Sequence, residues 1–251
     1  MHDLKNCNPL PPWFLDNPRD LIPRRARSKR RSKYIPKEII AKEKLDTEAF
    51  ERYIGHLWPT LPEEKRNSFI CLDSIWFNLY MKPAYKTRVV EWIKKKKIFS
   101  KKYVIVPILR WSHWCLLIMC DLGGSFQSEA APYFLLLDSL QKANSRRFEP
   151  EIRKFVLDIY KSEGGAGNKK LRSQIKLLVP KVPQQKNETD CGYYVLYYIY
   201  LFVCSAPEHF LYVSGAPENL RIKRYPYFME KNWFGPHSFE LFCERLQSMR
   251  S

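Results

Sequence analysis

The apolar positions of the run 191–202 recur at helical spacing, and this run is the most regular in the chain. Val195, Ile199 and Phe202 fall at positions i, i+4 and i+7. The polar residues just before it, 184–190, cannot be buried as core, and Thr189 or Asp190 supplies an oxygen that caps the first free N–H groups of a helix. The pattern therefore predicts a helix whose first turn contains Cys191.

The rest of the chain divides into helical and strand-like patterns. Helical spacing predicts further helices at 47–59, 73–81, 88–97, 152–160 and 238–249. Asp73 is the predicted N-cap of the second of these helices. Short, continuous apolar runs predict buried strands at Tyr103–Leu109, Trp114–Cys120, Tyr133–Leu137 and Ile175–Val179. This order predicts an α+β fold with one central short sheet and helices packed around it.

Residues 1–40 differ from the remainder because prolines interrupt any regular element. Within them, Arg24 to Lys33 carries seven positive charges in ten residues. We therefore expect a disordered, basic, proline-rich arm at 1–40 and one folded domain at 41–251. Such a charge cluster is typical of an import signal or a nucleic-acid patch, the alternative being a merely solvated arm. It predicts an import receptor or nucleic acid as partner and a nuclear location, with the cytoplasm as a second compartment.

Composition narrows the class of protein. The 251 residues are 45% hydrophobic, which is enough for a core, and the net charge of +17 favours acidic partners. No apolar run approaches the ~20 residues of a membrane span, and the amino terminus lacks a signal-peptide pattern, so we expect a soluble protein without a membrane partner. The seven cysteines are odd in number and scattered, which favours a reducing, intracellular compartment.

Metal chemistry is poorly supported by the residue pattern. Only His113, Cys115 and Cys120 lie close together, and no C-x-x-C pair completes a set of four zinc ligands. We therefore expect neither a metal nor another cofactor.

Nucleophilic chemistry fits three residues, each of which also has a plainer structural explanation. Cys191 lies at the positive end of a helix dipole, which lowers a thiol pKa, although a small core cysteine is common there. His113 begins a buried strand and is either a structural residue or a base for this thiol. Asp138 follows four apolar residues and needs a partner, either the imidazole of His113 or the N-terminus of the following helix.

Three blocks of sequence resemble, in the same order, the ubiquitin-like-protein-specific (SUMO or sentrin) cysteine proteases. Pro183–Gly192 resembles that family's P-Q-Q-x-N-x-x-D-C-G signature. Trp111–Leu117 resembles its histidine strand, in which a His-Trp pair begins an apolar run, and Leu136–Leu140 resembles its aspartate strand, which ends in L-D-S. The resemblance extends over about 50–202.

The resemblance implies a papain-like cysteine protease fold of the ubiquitin-like-protein protease type, with 41–251 as its catalytic domain. Cys191 is implied as the nucleophile, His113 as the base and Asp138 as the group that orients the base. Gln185, six residues before Cys191, is implied as the side-chain donor of the oxyanion hole, with the adjacent Gln184 as the weaker candidate.

Two further positions are implied as substrate contacts, and two depart from the family pattern. Trp114 is expected to cover a narrow channel for a di-glycine tail, and Asp73 to contact the modifier. Ile70 stands where many members have a tryptophan that lines this channel. Glu188 stands where many have glycine, and a positive φ there would cost about 1 kcal/mol or more.

The function implied is cleavage after the C-terminal di-glycine of SUMO, to deconjugate or mature it. A charge of +17 favours this acidic modifier. Two alternatives remain open at this point. One is a protease for another ubiquitin-like modifier such as NEDD8, and the other is an inactive basic nucleic-acid-binding protein on the same fold.

Overall fold

The computed structural model describes residues 43–124, 132–140, 145–163, 175–206 and 229–249. The predicted arm at 1–40 and most of the loop that follows Gly124 lie outside the described residues, so the arm and the domain boundary stay predictions. Within the described ranges, none of the helices combines the length and apolar character needed to cross a bilayer.

The described residues form helices on both sides of one sheet, as the sequence predicts. The helices are α1 (Thr47–Thr60), α2 (Glu63–Arg66), α3 (Ile75–Tyr80), α4 (Pro83–Lys95), α5 (Glu149–Ser162), α6 (Cys191–Ser205) and α7 (Pro236–Ser248). The strands are β1 (Phe69–Cys71), β2 (Tyr103–Arg110), β3 (His113–Cys120), β4 (Tyr133–Leu137) and β5 (Lys176–Leu178). Short 3-10 turns lie at Ile98–Ser100 and Ser145–Phe148.

In the described part of the chain, the sheet has five strands in the order β1-β2-β3-β4-β5. The three central strands are antiparallel, and each edge strand pairs in parallel with its neighbour. In the central hairpin, Arg110 pairs with His113, so the loop between β2 and β3 has only two residues. β3 is therefore the middle strand, and its first residue lies at one end of the sheet.

Two hydrophobic cores cover the two faces of the sheet, because alternate residues of β3 point to opposite sides. Trp114, Leu116, Ile118 and Cys120 join the core formed with α1, α6 and α7. Cys115, Leu117 and Met119 join the core formed with α3, α4 and α5. Strands buried on both faces explain why the apolar runs are continuous rather than alternating. The predicted α+β fold is confirmed.

The helix α6 lies inside the first core and begins at Cys191, as predicted. Every residue from Cys191 to Val203 is buried, which fits a segment that is apolar on all sides. The predicted cap is wrong in detail, since Asp190 occupies the N-cap position but its side chain makes no capping hydrogen bond. Instead, the Asn187 Oδ1 accepts the backbone N–H groups of Thr189 and Asp190, at 3.1 and 3.0 Å, and closes the turn before the helix.

Other boundaries differ from the predictions for local reasons. The helix predicted from residue 88 begins at Pro83, whose fixed φ suits the first helical position. Ser74 rather than Asp73 is the N-cap of α3, although the Asp73 Oδ1 accepts the Ile75 N–H at 3.0 Å. The three-residue strand β1 was not predicted, because so short a run has no detectable period.

The turn between β2 and β3 has an unusual backbone. Trp111 and Ser112 have φ values of 49° and 58°, the left-handed conformation that two-residue hairpin loops require at both positions. Asn and Gly usually occupy such turns, and a bulky residue costs about 1–2 kcal/mol there. The pairing of β2 with β3 holds this turn in place, directly before His113.

Candidate active site

The first turn of α6, the start of β3 and the end of β4 meet at one place. There the His113 Nε2 lies 2.7 Å from the Asp138 Oδ1, in a pair whose side chains are 12% and 2% exposed. The same Oδ1 also accepts the backbone N–H of Leu140 at 2.9 Å. The buried carboxylate is thus paired with the imidazole, as predicted, and Leu140 follows it in a loop rather than in a helix.

The electrostatics of Cys191 and His113 favour a charged pair. Burial alone would lower the His113 pKa, but hydrogen bonds to Asp138 and Cys191, and their negative charges, raise that pKa to about 9. Burial alone would raise the Cys191 pKa, but the hydrogen bond from His113, the Trp114 backbone N–H and the imidazolium charge lower it. Since Asp138 engages Nε2, the Nδ1 atom is the ring nitrogen left to face the sulfur. The arrangement therefore favours an imidazolium at neutral pH and increases the fraction of Cys191 present as thiolate.

The side chain of Gln185 is buried and its amide orientation is set by two neighbours. Its Oε1 accepts the Ser139 hydroxyl at 2.6 Å, and its Nε2 donates to the Asn187 carbonyl at 2.6 Å. Asn187 is the residue that closes the turn before Cys191. An amide carries two N–H groups, so one donor on Nε2 remains beyond the bond to Asn187.

Two hydrogen bonds to backbone carbonyls join the loop that contains Gln184 and Gln185 to the residues that follow β4. The Gln185 N–H donates to the Ser139 carbonyl at 2.9 Å, and the Gln184 Nε2 donates to the Asp138 carbonyl at 2.9 Å. Gln184 therefore binds the backbone beside the buried carboxylate, which leaves Gln185 as the glutamine next to the cysteine turn. Sequence reasoning missed Ser139, although it stands in the L-D-S block, because nothing local indicates a contact with a residue 46 positions away.

Trp114 lies in the core next to this cluster. It is fully buried, stacks on Phe50 with ring centroids 4.1 Å apart, and donates its Nε1–H to the Leu45 carbonyl at 2.8 Å. A Cβ added to Gly192 would lie 3.0 Å from the Leu45 Cβ and 3.2 Å from the Trp114 Cδ1, so glycine permits this close packing. The expected contact of Trp114 with a di-glycine tail stays a prediction.

Asp73 lies outside the cluster of Cys191, His113 and Asp138, in the turn between β1 and α3. Its neighbours include Glu51, whose carboxylate accepts the Ser74 N–H at 2.8 Å, and Ile75, which is 39% exposed. Burial and the nearby Asp73 charge raise the Glu51 pKa against the effect of this hydrogen bond. The Asp73 turn therefore presents an acidic group beside an exposed aliphatic side chain.

The two departures from the family pattern have simple structural settings. Ile70 is the middle residue of β1 and packs against the second core. Glu188 is not among the non-glycine residues with positive φ in the described ranges, so it carries none of the anticipated backbone strain.

Comparison with known proteins identifies relatives for most of the chain. The family model described as Ulp1 protease family, C-terminal catalytic domain, matches residues 30–232. A curated relative, the probable ubiquitin-like-specific protease 2A of Arabidopsis thaliana, is 29% identical over 158 residues, which cover 60% of this chain and 19% of that protein. The chain spans about a fifth of the length of the first curated relatives it matches.

Solved structures agree with the fold. A crystal structure of a de-sumoylating protease matches with a TM-score of 0.50 and 27% identity over 62% of this chain and 60% of that chain. The Xanthomonas campestris effector protein XopD, solved bound to ubiquitin, matches with a TM-score of 0.52 over 92% of this chain and 98% of that chain. At 15% identity, the second match concerns the fold alone.

Proposed function

This chain belongs to the Ulp1 protease family, and we propose that it is a cysteine protease that cleaves after the C-terminal di-glycine of SUMO. One observation carries the catalytic part of this proposal. A thiol with a lowered pKa, an imidazole with a raised pKa and a buried carboxylate lie in one hydrogen-bonded row. This is the arrangement that nucleophilic catalysis by cysteine requires.

In the proposed reaction, the Cys191 thiolate attacks the carbonyl carbon of the terminal glycine. The oxyanion that forms accepts the free N–H of the Gln185 amide and the backbone N–H of Cys191. His113 then gives its proton to the departing amine, which leaves a thioester on the enzyme. His113, now neutral, takes a proton from water, and the resulting hydroxide attacks the thioester carbonyl. The carbon–sulfur bond breaks, which releases the glycine carboxyl group and restores the Cys191 thiolate beside the His113 imidazolium.

We call Cys191, His113 and Asp138 the catalytic row. The choice of SUMO as the modifier rests on the surface outside this row. The chain has a net charge of +17, which attracts acidic proteins, and the Asp73 turn offers a carboxylate beside the exposed Ile75 as a local contact. The catalytic row acts on the di-glycine tail, which several modifiers share. Selection between modifiers therefore depends on this wider surface.

Electrophilic probes test the proposal. SUMO, NEDD8 and ubiquitin, each with an electrophile at its terminal glycine, are mixed side by side with the protein. We expect covalent capture by the SUMO probe, weaker capture by NEDD8 and none by ubiquitin, with capture lost in Cys191→Ala. Preferential capture of NEDD8 would reassign the modifier, and no capture by any probe in a folded protein would refute protease function.

The pH dependence of cleavage should follow the ion pair. The His113 pKa is raised to about 9, so its proton is present at neutral pH and is lost as the pH rises through about 9. Because that proton goes to the departing amine, kcat/KM for an amide-linked substrate is expected to fall through this range. On the acid side, kcat/KM is expected to fall as the Cys191 thiolate takes up a proton. This fall occurs at a lower pH than for an ordinary thiol, because the Cys191 pKa is lowered.

Asp138→Asn is the matched variant for the pH profile. It keeps the shape of the side chain but removes one of the two charges that raise the His113 pKa, so that pKa is expected to fall. We expect the alkaline limb to move to lower pH and the maximal rate to fall by about 10³-fold or more. An alkaline limb at the same pH in both proteins would show that another group titrates there.

Removal of Gln185 or of its Ser139 partner tests the oxyanion donor. Gln185→Ala is expected to lower kcat by about 10²-fold. Ser139→Ala is expected to lower it by about 10-fold, because the amide loses the hydrogen bond that sets its orientation. KM and the thermal unfolding midpoint are measured for both variants, and values close to those of the wild-type protein would show that binding and folding are intact.

The double variant separates the two roles. If Ser139 acts through Gln185, then Ser139→Ala adds little to Gln185→Ala, because the side chain that it orients is already gone. Two losses that multiply in the double variant would contradict the positioning role of Ser139.

A further inference from the structure

Trp111 is the most exposed large apolar residue in the described part of the chain, at 58%. It occupies a turn whose backbone favours glycine or asparagine, with φ at 49°. More than half of this side chain stays in solvent, so its packing removes little apolar area from water in return for the unfavourable backbone. Such positions are found most often at functional sites.

The Trp111 ring is held in place by its neighbours. It stacks on Phe148, a fully buried residue, with centroids 5.2 Å apart and planes 28° from parallel. The guanidinium groups of Arg110 and Arg147 lie 5.1 and 4.7 Å from the ring centroid, and Arg147 also lies 5.0 Å from the Phe148 ring. We call these four residues, Arg110, Trp111, Arg147 and Phe148, the Trp111 platform.

The two arginines of the platform differ in their ionic partners. Arg110 pairs with Glu151 at 3.0 Å, so its charge is largely balanced. Arg147 is exposed and has ring contacts, but no ion pair with any residue that the structure describes. A guanidinium fixed over aromatic rings retains N–H groups at its edge for a carboxylate. Among the residues that the structure describes, the platform therefore presents one positive charge without an ionic partner, beside an apolar ring.

The platform lies beside His113, and this position places it on the amine side of the bond that is cleaved. His113 follows the turn directly, and the proposed reaction requires its proton to reach the departing amine. The polypeptide attached to that amine must therefore pass close to the turn before His113. The Asp73 turn, assigned to the modifier, follows edge strand β1, whereas Arg147 follows β4, on the opposite side of the central hairpin.

We propose that the Trp111 platform binds an acidic segment of the polypeptide on the amine side of the scissile bond. This inference rests on the proposed protease function. Arg147 pairs with a carboxylate of that segment, and the exposed part of the Trp111 side chain covers its apolar or backbone atoms. The site thus selects the conjugated protein or the precursor tail rather than the modifier.

Three substrates that share one modifier test the platform. SUMO ending in di-glycine is joined by a peptide bond to an acidic peptide, to a lysine-containing peptide of the same length, or to aminomethylcoumarin. The coumarin substrate lacks a peptide on the amine side. Its kcat/KM therefore reports any change that a variant causes at the catalytic row itself, and the values for the two peptides are divided by it. For the wild-type chain we expect the acidic peptide to be cleaved with a kcat/KM about tenfold above that of the basic one.

Variants of the platform should change this ratio in different ways. Arg147→Glu is expected to reverse the preference, since the basic peptide then gains the partner that the acidic peptide loses. Trp111→Gly removes the ring while keeping a residue that suits the turn, and is expected to reduce the preference without reversing it. Arg88→Glu, an exposed arginine on α4, makes the same change in net charge and should leave the ratio unaltered.

The outcomes keep the two proposals distinguishable. An unchanged ratio in Arg147→Glu, with normal turnover of the coumarin substrate, would overturn the platform and leave the protease function standing. Failure of the folded wild-type protein to cleave the coumarin substrate would overturn the proposed cleavage of SUMO, and the platform with it.

Discussion

Replacing Cys191 with serine is expected to lower the turnover of a SUMO substrate by about 10⁴-fold or more without unfolding the protein. The hydroxyl has nearly the volume of the thiol, so the buried first turn of α6 keeps its packing. The chemistry is lost because an imidazole with a pKa of about 9 stabilises a thiolate beside it, whereas a hydroxyl stays un-ionised there. The measurement is kcat/KM together with a thermal unfolding midpoint.

Cys204→Ser is the matched control for this experiment. Cys204 lies near the other end of the same helix, and burial raises its pKa, so it is not poised as a nucleophile. We expect this variant to keep most of the activity. Turnover retained by Cys191→Ser would exclude Cys191 as the attacking group.

Replacing His113 with alanine is expected to have a comparable effect, again about 10⁴-fold or more on turnover. Two functions are lost together, namely the proton for the departing amine and the charge that lowers the Cys191 pKa. The second loss can be measured without any substrate. Alkylation of Cys191 by iodoacetamide at neutral pH should slow, and its pH profile should shift towards that of an ordinary thiol.

His56→Ala is the control for this variant, since His56 is an exposed histidine on α1. It should leave both alkylation and turnover unaltered. An unchanged alkylation profile in His113→Ala would show that the imidazole does not activate the thiol, even if turnover were lost.

The sequence alone predicted the main elements, apart from the short β1 and α2, and it also indicated the residues of the proposed catalytic row. Helical spacing located α6, and continuous apolar runs located the central strands, since these patterns follow from the geometry of neighbouring residues along the backbone. The candidates Cys191, His113 and Asp138 followed from residue types at the ends of these elements and from the three family blocks. The structure brings them together, because a helix start and two strand ends converge there.

The tertiary structure decided the features that depend on contacts between distant residues. Ser139 orients Gln185 across 46 positions, and Leu45 covers Trp114 across 69. Arg147 meets Trp111 only because the segment after β4 packs against the central hairpin. No local period encodes such contacts, which form when two elements pack together. The chain therefore determined by itself which groups could react, whereas packing determined how they are oriented and which surface lies beside them.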